Sequence, residues 1–246
     1  KAATEIYTIS TPLSLHDALP IFTLALADLA SQADIRRVAA ELLARFPRIH
    51  VLVNNAGVVN LRHTKPVDGI ETVFAVNHLA YFLLTHLLLE RLRASAPARI
   101  VNVASDAHRW GKLRFDDLGW EQGYKPMRVY GQSKLANILF TYELARRLAG
   151  SGVTVNCLHP GAVATRLGQN NGRIATLLTK ALAPFFRTAA KGASTSIHLA
   201  TAPAVEGVSG RYFSNCKEAR SSRASHDEAA AQRLWDVSAQ LTGLAV

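Results

Sequence analysis

Apolar positions along this chain fall into two rhythms that take turns. From Ala30 to Phe46 they recur every three or four residues, with Ile35, Val38, Ala39, Leu42, Leu43 and Phe46 on one stripe and Pro47 behind them. That spacing predicts an amphipathic helix covering one face of a sheet. Ile49 to Val53 follows as a short apolar run ending in Asn54-Asn55-Ala56-Gly57, the pattern of a buried strand entering a tight turn. Gly69 to Ser95 is one long helical pattern, Arg99 to Ala104 a strand, and Gly152 to Leu158 a further strand. Between those two strands lies a helix with Leu135, Ile138, Leu139 and Tyr142 on one stripe. A short helix over Ala189 to Ala200, a strand over Gly210 to Phe213 and a helix over Ala224 to Leu241 continue the alternation.

The first residues do not share these rhythms. Lys1 to Ile21 mixes Ser, Thr and isolated apolar residues, punctuated by Pro12 and Pro20, and lacks the basic start and long apolar core of a signal peptide. Glu5 to Ile9 predicts one short strand. The expectation is an irregular N-terminal segment over residues 1–21 and a single domain over residues 22–246, since 246 residues at 49% hydrophobic content suffice for one core. The most apolar stretch, Tyr81 to Leu92, is broken by Thr85, His86, Glu90 and Arg91, short of the roughly 18 uninterrupted residues of a membrane span, so a soluble protein without a transmembrane segment is expected.

The net charge of +10 is scattered over several helices, without a basic run or interleaved aromatics. It argues against a nucleic-acid partner and suits an anionic ligand such as a dinucleotide phosphate. Cys157 and Cys216 have no paired spacing, which reads as reduced thiols and a cytoplasmic compartment. No metal site is expected.

The candidate chemistry centres on Tyr130-Gly131-Gln132-Ser133-Lys134. One helical turn separates Tyr130 from Lys134, which places an ammonium beside a phenol whose pKa of about 10 otherwise makes it a poor proton carrier at neutral pH. With Asn54-Asn55-Ala56-Gly57 after one strand, Asn77 inside a helical pattern and Ser105 after the next strand, the chain resembles the short-chain dehydrogenase/reductase family. Leu88 to Leu92, Ser95 to Val103, Ser133-Lys134-Leu135-Ala136-Asn137, His159-Pro160-Gly161 and Tyr212 to Cys216 narrow the resemblance to its retinol dehydrogenase-like branch.

The resemblance implies an α/β fold: a Rossmann-like, doubly wound, mostly parallel sheet with helices on both faces. It implies hydride transfer between a nicotinamide, NADP or NAD, and a small lipophilic carbonyl or alcohol. Tyr130 would be the acid/base, Lys134 would lower its pKa and hold the nicotinamide ribose, Ser105 would polarise the carbonyl, and Asn77 would link Lys134 to water. Cofactor contacts would come from Asp28 at the adenine, from Asn55, Ala56 and Gly57, from Tyr130 and Lys134, and from Pro160, Gly161, Val163 and Thr165 at the nicotinamide. Leu167 to Arg187 would form a substrate lid, and the long helices would offer dimer surfaces. His108, Arg109 and Trp110 would border the substrate or lie in a solvated loop, and His159 would be a structural loop residue.

One family element has no counterpart. The glycine-rich turn T-G-x-x-x-G-I-G, which receives the pyrophosphate at a helix N-terminus, does not occur in this sequence, and the similarity starts at Phe22 to Leu29, the family's third strand. The resemblance therefore implies an N-terminally truncated domain lacking the first two strands. Phe22 to Ala27 would then either pair with Ile49 to Val53 or have the gap filled by Ile6 to Ile9. Two alternatives stand beside an active oxidoreductase: a catalytically impaired fragment unable to bind cofactor, and a non-enzymatic binding protein on the same fold.

Overall fold

The structure is a computed structural model and describes residues 4–10, 21–163 and 187–245. Its main sheet has the order β3-β4-β5-β6-β7, from β3 (Val51–Asn54), β4 (Ala98–Val103), β5 (Val153–His159), β6 (Tyr212–Ser214) and β7 (Lys217–Glu218). The first four strands pair in parallel and only β7 runs antiparallel. Parallel neighbours need crossover connections, and helices supply them. These are α2 (Thr72–Ala94), α3 (Pro126–Arg147) and α4 (Ala189–Thr201), with α1 (Gln32–Arg45) ahead of β3 and α5 (Glu228–Thr242) after the sheet.

Alternation along β4 shows how the layers form. Ala98 and Ile100 enter the main core with α1, α2 and α3, and Asn102 reaches Thr141 of α3, while Val101 and Val103 pack with Leu199 of α4 on the opposite face. Arg99, on that second face, donates to the carbonyls of Leu199 and Ala202 and fixes the end of α4. The expected Rossmann-like layering is thus present, with helices on both faces.

The N-terminal strands depart from both expectations. β1 (Thr4–Ser10) pairs antiparallel with β2 (Ile21–Ala27), Ile6 opposite Ala25 and Ile9 opposite Phe22, and this pair forms a sheet of its own. Phe22 to Ala27 does not pair with β3, and Ile6 to Ile9 joins β2 without bridging to β3. On β2, Ala25 and Ala27 are buried against the α1 side of the core, whereas Leu24 and Leu26 are each 50% exposed. Val51 and Val53 of β3 are likewise 40% exposed.

The long helix α2 contains one wider π-turn, Ala75–Leu79. By length and composition α2 is apolar enough to cross a membrane, but 78% of its most apolar window is buried inside the protein, as a core helix would be. The helix α3 is also more enclosed than its single apolar stripe predicts. Every residue from Val129 to Thr141 is buried, including Gln132, Ser133, Lys134 and Asn137. A helix buried all round must satisfy its polar side chains inside the protein, and those bonds organise the site.

Candidate active site

The carboxyl ends of β3, β4 and β5 deliver the loops that meet the N-terminal half of α3, the usual ligand edge of an open α/β sheet. Asn77 sits at the centre of the π-turn in α2. Its Oδ1 accepts the Val58 N–H at 2.8 Å, and its Nδ2 donates to the Val58 carbonyl and to Ser133 Oγ, each at 3.0 Å. It therefore bonds a distant loop, the one leaving Asn54-Asn55-Ala56-Gly57, together with α3.

Lys134 is 3% exposed and its Nζ donates to the Val103 carbonyl at 2.9 Å. The ammonium lies 5.7 Å from the Tyr130 ring and 5.8 Å from that of Tyr81, whose hydroxyl bonds the Ala56 carbonyl. Burial pushes the Lys134 amine down to about 7. Burial also raises the Tyr130 phenol, and a hydrogen bond with Ser105 opposes that rise. The lysine shares the desolvated pocket of Tyr130, and that burial drives it toward neutrality.

Ser105 caps the short 3-10 turn Asp106–Trp110, its Oγ accepting the Ala107 N–H at 3.2 Å. An Oγ that accepts from backbone still has its own proton to donate, here toward Tyr130. The three residues between Tyr130 and Lys134 each hold a different neighbour. Gly131 lets the 3-10 turn touch the helix, since a Cβ there would lie 2.8 Å from the Ala107 carbonyl. Gln132 receives the Trp120 Nε1–H and the Arg114 N–H. Ser133 receives Asn77. Tyr130, Ser105, Lys134 and Asn77 are thus brought together as one cluster.

The residues expected to contact a cofactor are distributed unevenly. Asn55 is exposed at the end of β3, and a Cβ at Gly57 would approach Asn77 Oδ1 at 3.4 Å and Lys134 Nζ at 3.5 Å, so this backbone lies directly against those two side chains. Ala56 is tied in place by Tyr81. Pro160 and Gly161 follow β5 with Gly161 at φ +87°, a conformation that favours glycine, and Val163 bridges to Arg187. Asp28 follows β2, and its Oδ1 accepts the Ala30 N–H at 2.9 Å, the behaviour of a turn-capping aspartate. Thr165 and the lid segment up to residue 186 lie outside the described residues.

Several contributors had no motif to announce them. Asn54 donates to Thr85 and to Asn102, and Asn102 donates to Thr141, a polar ladder beneath the strand ends. His108 turns inward, fully buried, instead of lining the substrate side, while Arg109 and Trp110 stay exposed. A polar residue interrupting an apolar strand, as Asn102 does between Val101 and Val103, is the one cue that pointed to the ladder.

This assembly belongs to a recognisable class. The chain is a member of the short-chain dehydrogenase family, whose sequence pattern matches residues 14–174. Over 222 residues it is 51% identical to retinol dehydrogenase 14 of Homo sapiens, covering 88% of this chain and 66% of that protein. It is 48% identical over 217 residues to retinol dehydrogenase 12 of Mus musculus, covering 88% of this chain and 68% of that protein. The chain spans about two thirds of the length of these curated relatives. Among solved structures, an uncharacterised protein from Mycobacterium paratuberculosis superposes with a TM-score of 0.68 at 32% identity, covering 89% of this chain and 74% of that one. The Pseudomonas aeruginosa RhlG/NADP active-site complex superposes with a TM-score of 0.56 at 29% identity, covering 76% and 72%.

Proposed function

We propose that this chain is an oxidoreductase that interconverts a lipophilic alcohol and its carbonyl compound with NADP as the preferred nicotinamide. The observation that carries the reading is the convergence of Tyr130, Ser105, Lys134 and Asn77 at the strand ends, with Lys134 Nζ held 2.9 Å from the Val103 carbonyl. Identity to retinol dehydrogenases supports the lipophilic substrate class, and the NADP-bound neighbour supports the cofactor.

The residues at the nicotinamide end fit such a group: Gly57 brings open backbone against Lys134, and Gly161 turns the chain away from β5. Asn55, Ala56, Gly57, Tyr130, Lys134, Pro160, Gly161, Val163 and Thr165 would hold it, with Asp28 at the far end. When bound, the nicotinamide supplies or accepts the hydride. Tyr130 gives its phenolic proton to the carbonyl oxygen in reduction and removes the hydroxyl proton in oxidation. Ser105 holds that oxygen, the Lys134 ammonium favours the phenolate, and Asn77 keeps the loop and helix in register.

A second reading, a catalytic half without an adequate cofactor cradle, is favoured by one observation: the β1–β2 pair stands apart from β3, whose Val51 and Val53 remain 40% exposed. Calorimetric titration with NADPH and then NADH decides between them. Micromolar binding, with turnover of a lipophilic aldehyde that Tyr130→Phe abolishes, supports the oxidoreductase; no binding of either cofactor supports the second reading.

A further inference from the structure

The peptide bond between Ser105 and Asp106 is held at both of its polar atoms by a histidine. His108 Nδ1 lies 2.7 Å from the Ser105 carbonyl oxygen, and its Nε2 accepts the Ser222 N–H at 2.9 Å. With Nε2 accepting, the ring proton sits on Nδ1 and is donated to the carbonyl. On the other side, His159 Nδ1 accepts the Asp106 N–H at 3.2 Å, while its Nε2 stands 3.2 Å from Asp106 Oδ2. Here the proton sits on Nε2, facing the carboxylate.

The two rings belong to different parts of the fold. His108 comes from the 3-10 turn and reaches the segment before α5, whereas His159 ends β5 beside Pro160 and Gly161. Tyr212 of β6 donates to Asp106 Oδ1 at 3.0 Å and meets the His108 ring edge-on at 5.3 Å. The plane of this peptide sets ψ of Ser105, at 154°, and ψ with χ1 aims the hydroxyl.

We propose that His108 and His159 are positioning residues which, as a pair of neutral imidazoles, hold the Ser105–Asp106 peptide and so aim the Ser105 hydroxyl at the substrate oxygen beside Tyr130. The proposal rests on the reading of Ser105 given above. Each ring needs one bare nitrogen: protonation of His159 removes the acceptor of the Asp106 N–H, and protonation of His108 removes that of Ser222. Burial lowers both pKa values, and the surroundings are mixed. Asp106 faces both rings and favours their charged forms; Arg109 faces both and disfavours them, as do Arg187 toward His159 and His159 toward His108. Tyr212 contributes a neutral hydroxyl to the same carboxylate.

Nitrogen-15 and carbon-13 NMR of the full chain without cofactor tests the clamp directly. The Asp106 amide proton should move upfield on acidification with the midpoint of the His159 imidazole. In His159→Asn, whose side-chain oxygen replaces Nδ1 as an acceptor and does not titrate, the amide should stay downfield through that range; in His159→Leu it should lie upfield at every pH. An Asp106 amide that ignores the imidazole titration, or is unmoved in His159→Leu, overturns the clamp. Turnover in the reductive direction, where Tyr130 gives its proton, tests the aiming: kcat should fall on the acid side in the native chain, fall about tenfold or more at all pH in His159→Leu, and be largely rescued in His159→Asn with the limb at the His159 midpoint gone, with KM little changed. A limb that keeps the midpoint of the native His159 imidazole in His159→Asn overturns the positioning role. A native chain with no turnover at any pH refutes the proposed activity, and the Asp106 amide still decides the clamp.

Discussion

Asn77 and Val58 hold each other through both polar groups of one residue: Oδ1 takes the Val58 N–H at 2.8 Å and Nδ2 gives to the Val58 carbonyl at 3.0 Å. The π-turn Ala75–Leu79 widens α2 at the point where this side chain leaves it. The same Nδ2 also reaches Ser133, so one buried amide couples the β3 loop, α2 and α3.

That coupling predicts a large cost for Asn77→Leu, which strands the Val58 N–H and carbonyl in a dry environment. Urea unfolding should show a loss of about 2–4 kcal/mol. Asn77→Asp keeps the acceptor and loses the donor, and should fall between. A loss below about 0.5 kcal/mol in Asn77→Leu would show that water replaces the side chain without penalty.

Gly131 is the second sensitive point. A Cβ there would sit 2.8 Å from the Ala107 carbonyl and 3.0 Å from the Trp110 ring, and one at Gly111 would overlap the Gly131 carbonyl itself. Neither clash is with a flexible side-chain end alone, so the 3-10 turn carrying Ser105 must move away from α3. Gly131→Ala should gain about 1 kcal/mol in helix propensity and lose more to overpacking. Net destabilisation in thermal unfolding, with a disturbed near-ultraviolet spectrum from Trp110 and Trp120, is the expected result. A Gly131→Ala chain more stable than the native one would mean that the turn yields freely.

What was legible in the residues follows from these contacts. The strand and helix alternation was readable because each parallel strand is a short apolar run and each helix keeps an apolar stripe, and observed boundaries fall within a few residues of those expected. Tyr130, Lys134, Ser105 and Asn77 stood out because their spacing is a motif. Gly131, Gln132 and Ser133 were readable only as the variable positions inside that motif, since their partners lie on loops remote in sequence. The β1–β2 pairing was not readable, because a seven-residue strand can find its edge only in three dimensions. His108 and His159 gave no periodic cue, as single imidazoles at a turn or a strand end look alike in sequence whether solvated or bonded.

Lys134 gives the clearest pH dependence. Its amine is pushed down to about 7 by burial, while in the unfolded chain it titrates near about 10.4. Between these values the unfolded chain binds the extra proton, so stability rises with pH across that window, by up to about 1.4 kcal/mol per pH unit. Below about pH 7 both states hold the proton and the slope vanishes. Above about pH 10 the buried phenols Tyr81 and Tyr130, both raised, oppose it, because only the unfolded chain ionises them. Lys134→Met should therefore flatten the rise between pH 7.5 and 9.5 and unfold at higher urea at pH 7.5, by about 1–3 kcal/mol, while losing turnover. The native slope persisting unchanged in Lys134→Met would mean that the amine stays protonated when buried, with the ammonium already poised beside Tyr130 before any cofactor binds.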